Sequence, residues 1–160
     1  MPNDASSVEA VARLAFDYYA RHTWTEVELL AETGYLKARK NMTEESLVQS
    51  LREHPDWVQA WYRLSGDQRS SPNWWFSGAG PGKFEVGYED SDPGKRVGPW
   101  TFTDKAAACA AFVKRHVELM ADRIEADESR LTPDLRLWRQ LRANDAMAKH
   151  VTFVRVERCA

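Results

Sequence analysis

Long apolar runs are missing from this 160-residue chain. No stretch approaches the ~20 consecutive apolar residues that a helix needs to span a bilayer, so no membrane span is expected. Cysteine is scarce. Cys109 and Cys159 are the only two and neither belongs to a CxxC pair, which leaves a zinc site without support. Charge of one sign is missing as well. Twenty-two Lys and Arg stand against 24 Asp and Glu, a formal net charge of -2, whereas a general nucleic-acid binder is more often basic. There is no GxSxG, HExxH, P-loop or GxGxxG, so no enzyme class, cofactor or metal is indicated and the chain reads as non-enzymatic. The opening "MPNDASSVEA" lacks the basic start and apolar run of a leader peptide, and a cytoplasmic location is expected.

What is present suits a globular fold. The hydrophobic share is 43% and the charged share 29%, and 160 residues can bury a core without staples. Helical spacing dominates the first 66 residues. Val8, Val11, Ala12, Ala15 and Tyr19 form a stripe over 6–21, with Ser6 and Glu9 in capping-box spacing. "TWTEVELLAETGYLK" reads as a short helix capped by Thr25 and stopped by Gly34. A third helix follows Thr43 and ends before Pro55. A fourth starts at Pro55, lines up Trp57, Trp61 and Leu64, and is closed by Gly66.

The character then changes. Six of the eight glycines fall between 78 and 98. Phe84, Val86 and Tyr88 alternate with Glu85, Gly87 and Glu89, and Trp100 and Phe102 alternate with Thr101 and Thr103. Strands over 73–78, 83–89 and 97–102 are predicted, forming an antiparallel meander. "GAGPG" at 78–82 superficially matches a phosphate loop but lies between two strands, so a hairpin turn is the preferred reading. A long helix follows over 104–125, capped by Thr103 or Asp104, with Ala106, Cys109, Val113, Val117, Met120 and Ile124 on one stripe. A helix from Thr132 and a strand in "HVTFVRVERC" complete the chain. The expected class is α+β: a three- to four-stranded antiparallel sheet with helices packed against it, and a helical N-terminal half. One domain over 1–160 is the simplest division. Residues 1–66 form a possible helical subdomain, and 67–160 hold the meander, long helix, C-terminal helix and strand.

Few residues propose chemistry. His22, His54, His116 and His150 are scattered. His116 borders the apolar stripe and reads as a packing histidine rather than a general base. Cys109, in "AAACAAF", reads as a buried, inert thiol, and a bridge to Cys159 is left open. Asp122, Glu125, Asp127 and Glu128 read as a solvated helix end. Arg130 lies in the same segment as Arg136, Arg139 and Arg142, which share a face around Trp138; they could grip an acidic partner or a nucleic-acid backbone, but internal or solvent pairing is preferred.

The more informative stretch is "SSPNWWFSGAGPGKFEVGYEDSD". Adjacent strand residues face opposite sides of a sheet, so Trp74 and Trp75 cannot both lie under one helix layer. Glu89, Asp90 and Asp92 gather on the next turn, beside Tyr88. An exposed aromatic near clustered acids has the composition of a binding hot spot for a basic partner. The candidate partner-binding residues are therefore Trp74, Trp75, Tyr88, Glu89, Asp90 and Asp92.

"LREHPDWVQAWYRLSGDQRSSPNWWF", followed by "FEVGY", a glycine turn and "FTDKAAACAAFVKRHVE", resembles the small bacterial immunity proteins of contact-dependent and polymorphic toxin systems. The similarity spans about residues 47–118. It implies a small cytoplasmic α+β protein without an active site, one that binds a cognate toxin domain and blocks it stoichiometrically. Two other readings stay open: a small enzyme lacking a recognisable motif, built around His116 with carboxylate partners, and a regulatory nucleic-acid binder using the 130–142 arginines. The oligomeric state is left open.

Overall fold

The computed structural model describes residues 4–22, 24–67 and 72–130. The chain forms two compact units, Met1–Ala121 and Asp122–Ala160. The second is described only as far as Arg130. The predicted helix in "LTPDLRLWRQLRAN", the final strand and Cys159 lie outside the described residues.

The first unit opens with five helices: α1 (Asp4–Ala20), α2 (Glu26–Glu32), α3 (Tyr35–Ala38), α4 (Glu44–Glu53) and α5 (Pro55–Asp67). Their starts follow the side chains. Thr25 Oγ1 accepts the Glu28 amide at 3.2 Å while the Glu28 carboxylate accepts the Thr25 amide at 2.8 Å, which satisfies two otherwise orphaned donors. Thr43 and Ser46 do the same for α4. Pro55 opens α5, where its missing N–H costs nothing.

Two expectations change, and one short helix is added. The first helix begins at Asp4, so Ser6 lies inside it and Ser7 is buried; the Ser6–Glu9 box is not its start. Gly34, at φ 74°, stops α2 as expected, and a further short helix, α3, follows directly. Gly66 does not close α5, which continues to Asp67, because this glycine keeps a negative φ.

The meander follows: β1 (Asn73–Gly80), β2 (Lys83–Glu89) and β3 (Val97–Phe102), antiparallel in the order β1-β2-β3. Gly80 and Gly82 take positive φ at the tip of the first hairpin, so "GAGPG" is a turn between strands. The second connection carries a single 3-10 turn, Pro93–Lys95. A register shift between Val86 and Tyr88 places Gly98 and Pro99 opposite Gly87. Gly98 has φ 82°, and its peptide bond to Pro99 is cis.

The last described element is α6 (Lys105–Arg130), capped by Asp104, whose Oδ1 accepts the Ala106 amide at 2.9 Å. The small residues Ala108–Ala111 let it approach closely, and its apolar stripe is buried from Ala106 to Met120. Phe76 of β1 meets Phe112 of α6 at 6.0 Å and Tyr62 of α5 edge-on at 5.2 Å. The predicted α5 stripe of Trp57, Trp61 and Leu64 is buried. Trp61 donates its indole N–H to the Ala12 carbonyl at 2.7 Å, so its polar tip is satisfied inside the core. The fold is α+β, with helices against an antiparallel sheet and a helical N-terminal half. No described helix is long and apolar enough to cross a membrane.

Helix α5 also closes one edge of the sheet. Ser65 Oγ accepts the Phe76 amide at 2.7 Å and donates to the Phe76 carbonyl at 3.1 Å. Tyr62 Oη accepts the Gly78 amide at 3.2 Å. Phe76 thus directs its backbone groups away from β2, and two side chains satisfy what would otherwise be an open edge.

Candidate functional site

The register sorts the candidate residues onto the two faces of the sheet. Trp74, Phe76, Val86, Tyr88 and Trp100 share the face that meets α6. Trp75, Ser77, Glu85 and Gly87 share the other. The two adjacent tryptophans are therefore separated by the full thickness of the sheet.

On the helix-facing side, Trp74 and Tyr88 are cross-strand partners with ring centroids 5.2 Å apart. Trp100 reaches back across β2 and stacks on Trp74, with centroids 5.8 Å apart and planes within 14°. Arg115 of α6 lays its guanidinium over both indoles, 4.6 Å from the Trp100 centroid and 5.6 Å from that of Trp74. Its Nη1 donates to the Glu44 carboxylate and to the Ala111 carbonyl. Each aromatic contact is worth about 0.5–1.5 kcal/mol beyond burial, so the group is held rigidly. It is not enclosed: Trp100 is 38% exposed, Val97 beside it is 41% exposed, and Trp74 and Tyr88 are half-buried.

The three predicted acids serve the turn that carries them. Glu89 pairs with Arg96 at 2.8 Å, and Asp92 lies 4.0 Å from Lys95. Asp90 Oδ1 accepts the Asp92 amide, and Asp92 Oδ1 accepts the Gly94 amide at the start of the 3-10 turn. Arg96 Nε also donates to the Asp90 carbonyl at 3.2 Å. Two bases thus stand among three acids and cancel most of the loop's field.

On the opposite face, Trp75 lies flat across its cross-strand partner Gly87. A Cβ added to that glycine would come 2.5 Å from Trp75 Cζ2. Glu85 lies between Ser77 and Thr101.

Two further polar groups lie in the first unit. His116 is only 4% exposed; its Nε2 is 2.8 Å from Glu26 Oε2, and its ring stacks on Phe112 and meets Trp61 edge-on. Glu118 accepts hydrogen bonds from Tyr35, Arg39 and Lys114. Burial alone would raise its carboxyl, but those three donors outweigh it and hold the group below its ordinary value. Cys109 is a free, buried thiol, pushed up by desolvation. Among the described residues, no three His, Cys, Asp or Glu side chains gather to hold a metal ion. Arg136, Arg139 and Arg142 lie outside the described residues.

Comparison with protein-family models, with curated proteins and with solved structures gives no match. The resemblance to immunity proteins therefore rests on the sequence pattern alone.

Sequence reasoning did not find Val97, Trp100, Arg115 or Glu44 as members of the site. Trp100 had a signal: its alternation with Phe102 puts it on the face of Val86, given the register. Arg115 and Glu44 had none, since their meeting depends on how α6 crosses α4.

Proposed function

We propose that this protein is a cytoplasmic binding module of the immunity type, which neutralises a cognate toxin domain by stoichiometric contact. The observation that carries the reading is the half-open aromatic group of Trp74, Tyr88, Val97 and Trp100, clamped from behind by Arg115. Rigid aromatics that are already ordered lose little entropy on binding, and exposed apolar area next to them is available for burial by a partner. The neutralised acid loop supports a smaller role for Glu89, Asp90 and Asp92, in orientation rather than anchoring.

The test is co-expression with the product of the neighbouring toxin gene, followed by size-exclusion and calorimetric titration of the complex. A one-to-one complex is expected. Trp100→Ala should weaken it by about 2 kcal/mol or more, roughly thirtyfold in Kd. Absence of a complex, together with absence of protection in cells, would reject the reading.

A second reading has one observation in its favour, the buried His116–Glu26 pair, an arrangement that also serves as a general base with its orienting carboxylate. The stacking of His116 on Phe112 and its edge-on contact with Trp61 support a packing role instead. Full biological protection by a folded His116→Gln variant would exclude the enzyme reading.

A further inference from the structure

The face of the sheet that carries Trp75 has a chemistry of its own. Three features meet there. Gly87 leaves no side chain on the middle strand, so the Trp75 indole lies over the backbone there while remaining partly exposed. Glu85 sits two residues along the same strand and points to the same side, a diagonal cross-strand neighbour of Trp75, within reach of long side chains. Its flanking partners are Ser77 and Thr101, two hydroxyl residues.

Glu85 is half-buried, and among the described residues it has no ion pair and no hydrogen-bond partner. The other outward-facing acid of β2, Glu89, is already held by Arg96. Lys83 stands at the hairpin end of the strand. The middle of this face is therefore one unneutralised carboxylate beside one flat indole.

We propose that this face docks a basic segment of a partner protein, with a Lys or Arg head group held between the Glu85 carboxylate and the Trp75 ring. A carboxylate supplies the ion pair, an aromatic face supplies the quadrupole, and the neighbouring hydroxyls accept the remaining guanidinium or ammonium protons. A phosphate-bearing partner is disfavoured, because the central charge has the wrong sign. Lys83 sets the polarity of the segment, favouring an acid or a carbonyl at the hairpin end and the base near Gly87. This surface lies on the opposite side of the sheet from Trp74 and Trp100, and it does not depend on the toxin-binding reading.

The test uses the full-length, ¹⁵N-labelled chain titrated with the peptide acetyl-Gly-Arg-Gly-Arg-Gly-amide. The same peptide with citrulline for arginine, isosteric but uncharged, is the control. Saturable shifts are expected at the Trp75 indole N–H and at the Ser77, Glu85, Gly87 and Thr101 amides, with none from the citrulline peptide. Glu85→Gln should weaken binding about threefold to tenfold, the worth of one exposed charge-assisted contact. Trp100→Ala should leave it unchanged. Shifts confined to residues 89–96 or to the Trp74–Trp100 group would overturn the proposal, as would equal binding by Glu85→Gln or by the citrulline peptide. So would the absence of saturable shifts at millimolar peptide, or binding of an oligothymidylate strand at this face in place of the peptide. Because Glu85→Gln keeps the size and shape of the side chain and removes only its charge, a folded spectrum of the variant keeps the test valid. Loss of toxin binding in Trp100→Ala with peptide binding intact would separate the two faces.

Discussion

Arg115 and Trp100 meet with the guanidinium 4.6 Å from the indole centroid, so a helix residue forms the floor beneath an exposed sheet aromatic. The same guanidinium binds Glu44 at the start of α4 and covers Trp74. One side chain therefore connects three elements. Arg115→Ala is expected to lower stability by about 1–2 kcal/mol in urea unfolding, through lost cation–π and ion-pair contacts. Arg115→Lys should recover less than half of that, since a point charge cannot both stack and fork. Equal stability of all three proteins would show that the contact carries no weight.

Ser65→Ala separates tertiary from local effects. Alanine is the better helix former, so propensity alone predicts a small gain of a few tenths of a kcal/mol. The structure predicts the opposite. Ser65 satisfies both backbone groups of Phe76 in a buried setting, and leaving them unpaired should cost about 1–3 kcal/mol. A shift in the urea midpoint to higher concentration would contradict the edge-closing role.

Gly87→Ala should destabilise the sheet by about 1–3 kcal/mol, because the new Cβ and the Trp75 indole compete for one space. In a Trp75→Ala background the same change should cost much less. The signature is this non-additivity; simple additivity would show that the indole does not rest on the glycine.

Much of this architecture is legible from residue pattern, and where it is not, the reason is physical. Alternation over 83–89 and 97–102 locates β2 and β3 because side chains on a strand have period two and one face is buried. Thr25, Thr43 and Pro55 mark helix starts because capping is local chemistry. β1 runs past the expected 78 to Gly80, and α1 starts earlier than Ser6, because pairing and packing extend elements beyond their strongest local signals. For the site, the opposite orientation of Trp74 and Trp75 follows from strand geometry, but their neighbours do not. Trp100 pairs with Val86 on the Trp74 face, but it is the register shift at Gly98 and Pro99 that brings Val97 opposite Tyr88 and into the same group. The acids at 89–92 look like a presented patch until Lys95 and Arg96, three to seven residues away, fold back onto them.

Acid sensitivity should centre on Glu118. Its folded carboxyl lies below its ordinary value of 4.5: burial pushes upward, but hydrogen bonds from Tyr35, Arg39 and Lys114 prevail. A depressed group binds its proton less readily in the folded state, so its contribution is fully present above the unfolded value. It is lost as pH falls from about 4.5 through the lower folded value. Stability measured by urea titration should thus decline below about pH 5, and Glu118→Gln should flatten that decline while lowering stability at neutral pH. An unchanged acid limb in the variant would assign the sensitivity elsewhere, with Asp104, also depressed, chiefly by its Arg52 hydrogen bond, the next group to examine.

The treatment of the strand borders has an architectural consequence. Along β1, hydroxyls from α5 occupy the outward backbone positions at Phe76 and Gly78; along β3, an imino acid without an N–H sits within the bulge. A sheet bounded in this way offers little template for a fourth chain to zip alongside, so fibrillar stacking of copies is discouraged. Among the described residues, contacts made by the sheet therefore fall to side chains projecting from its broad surfaces, where selectivity can be encoded residue by residue.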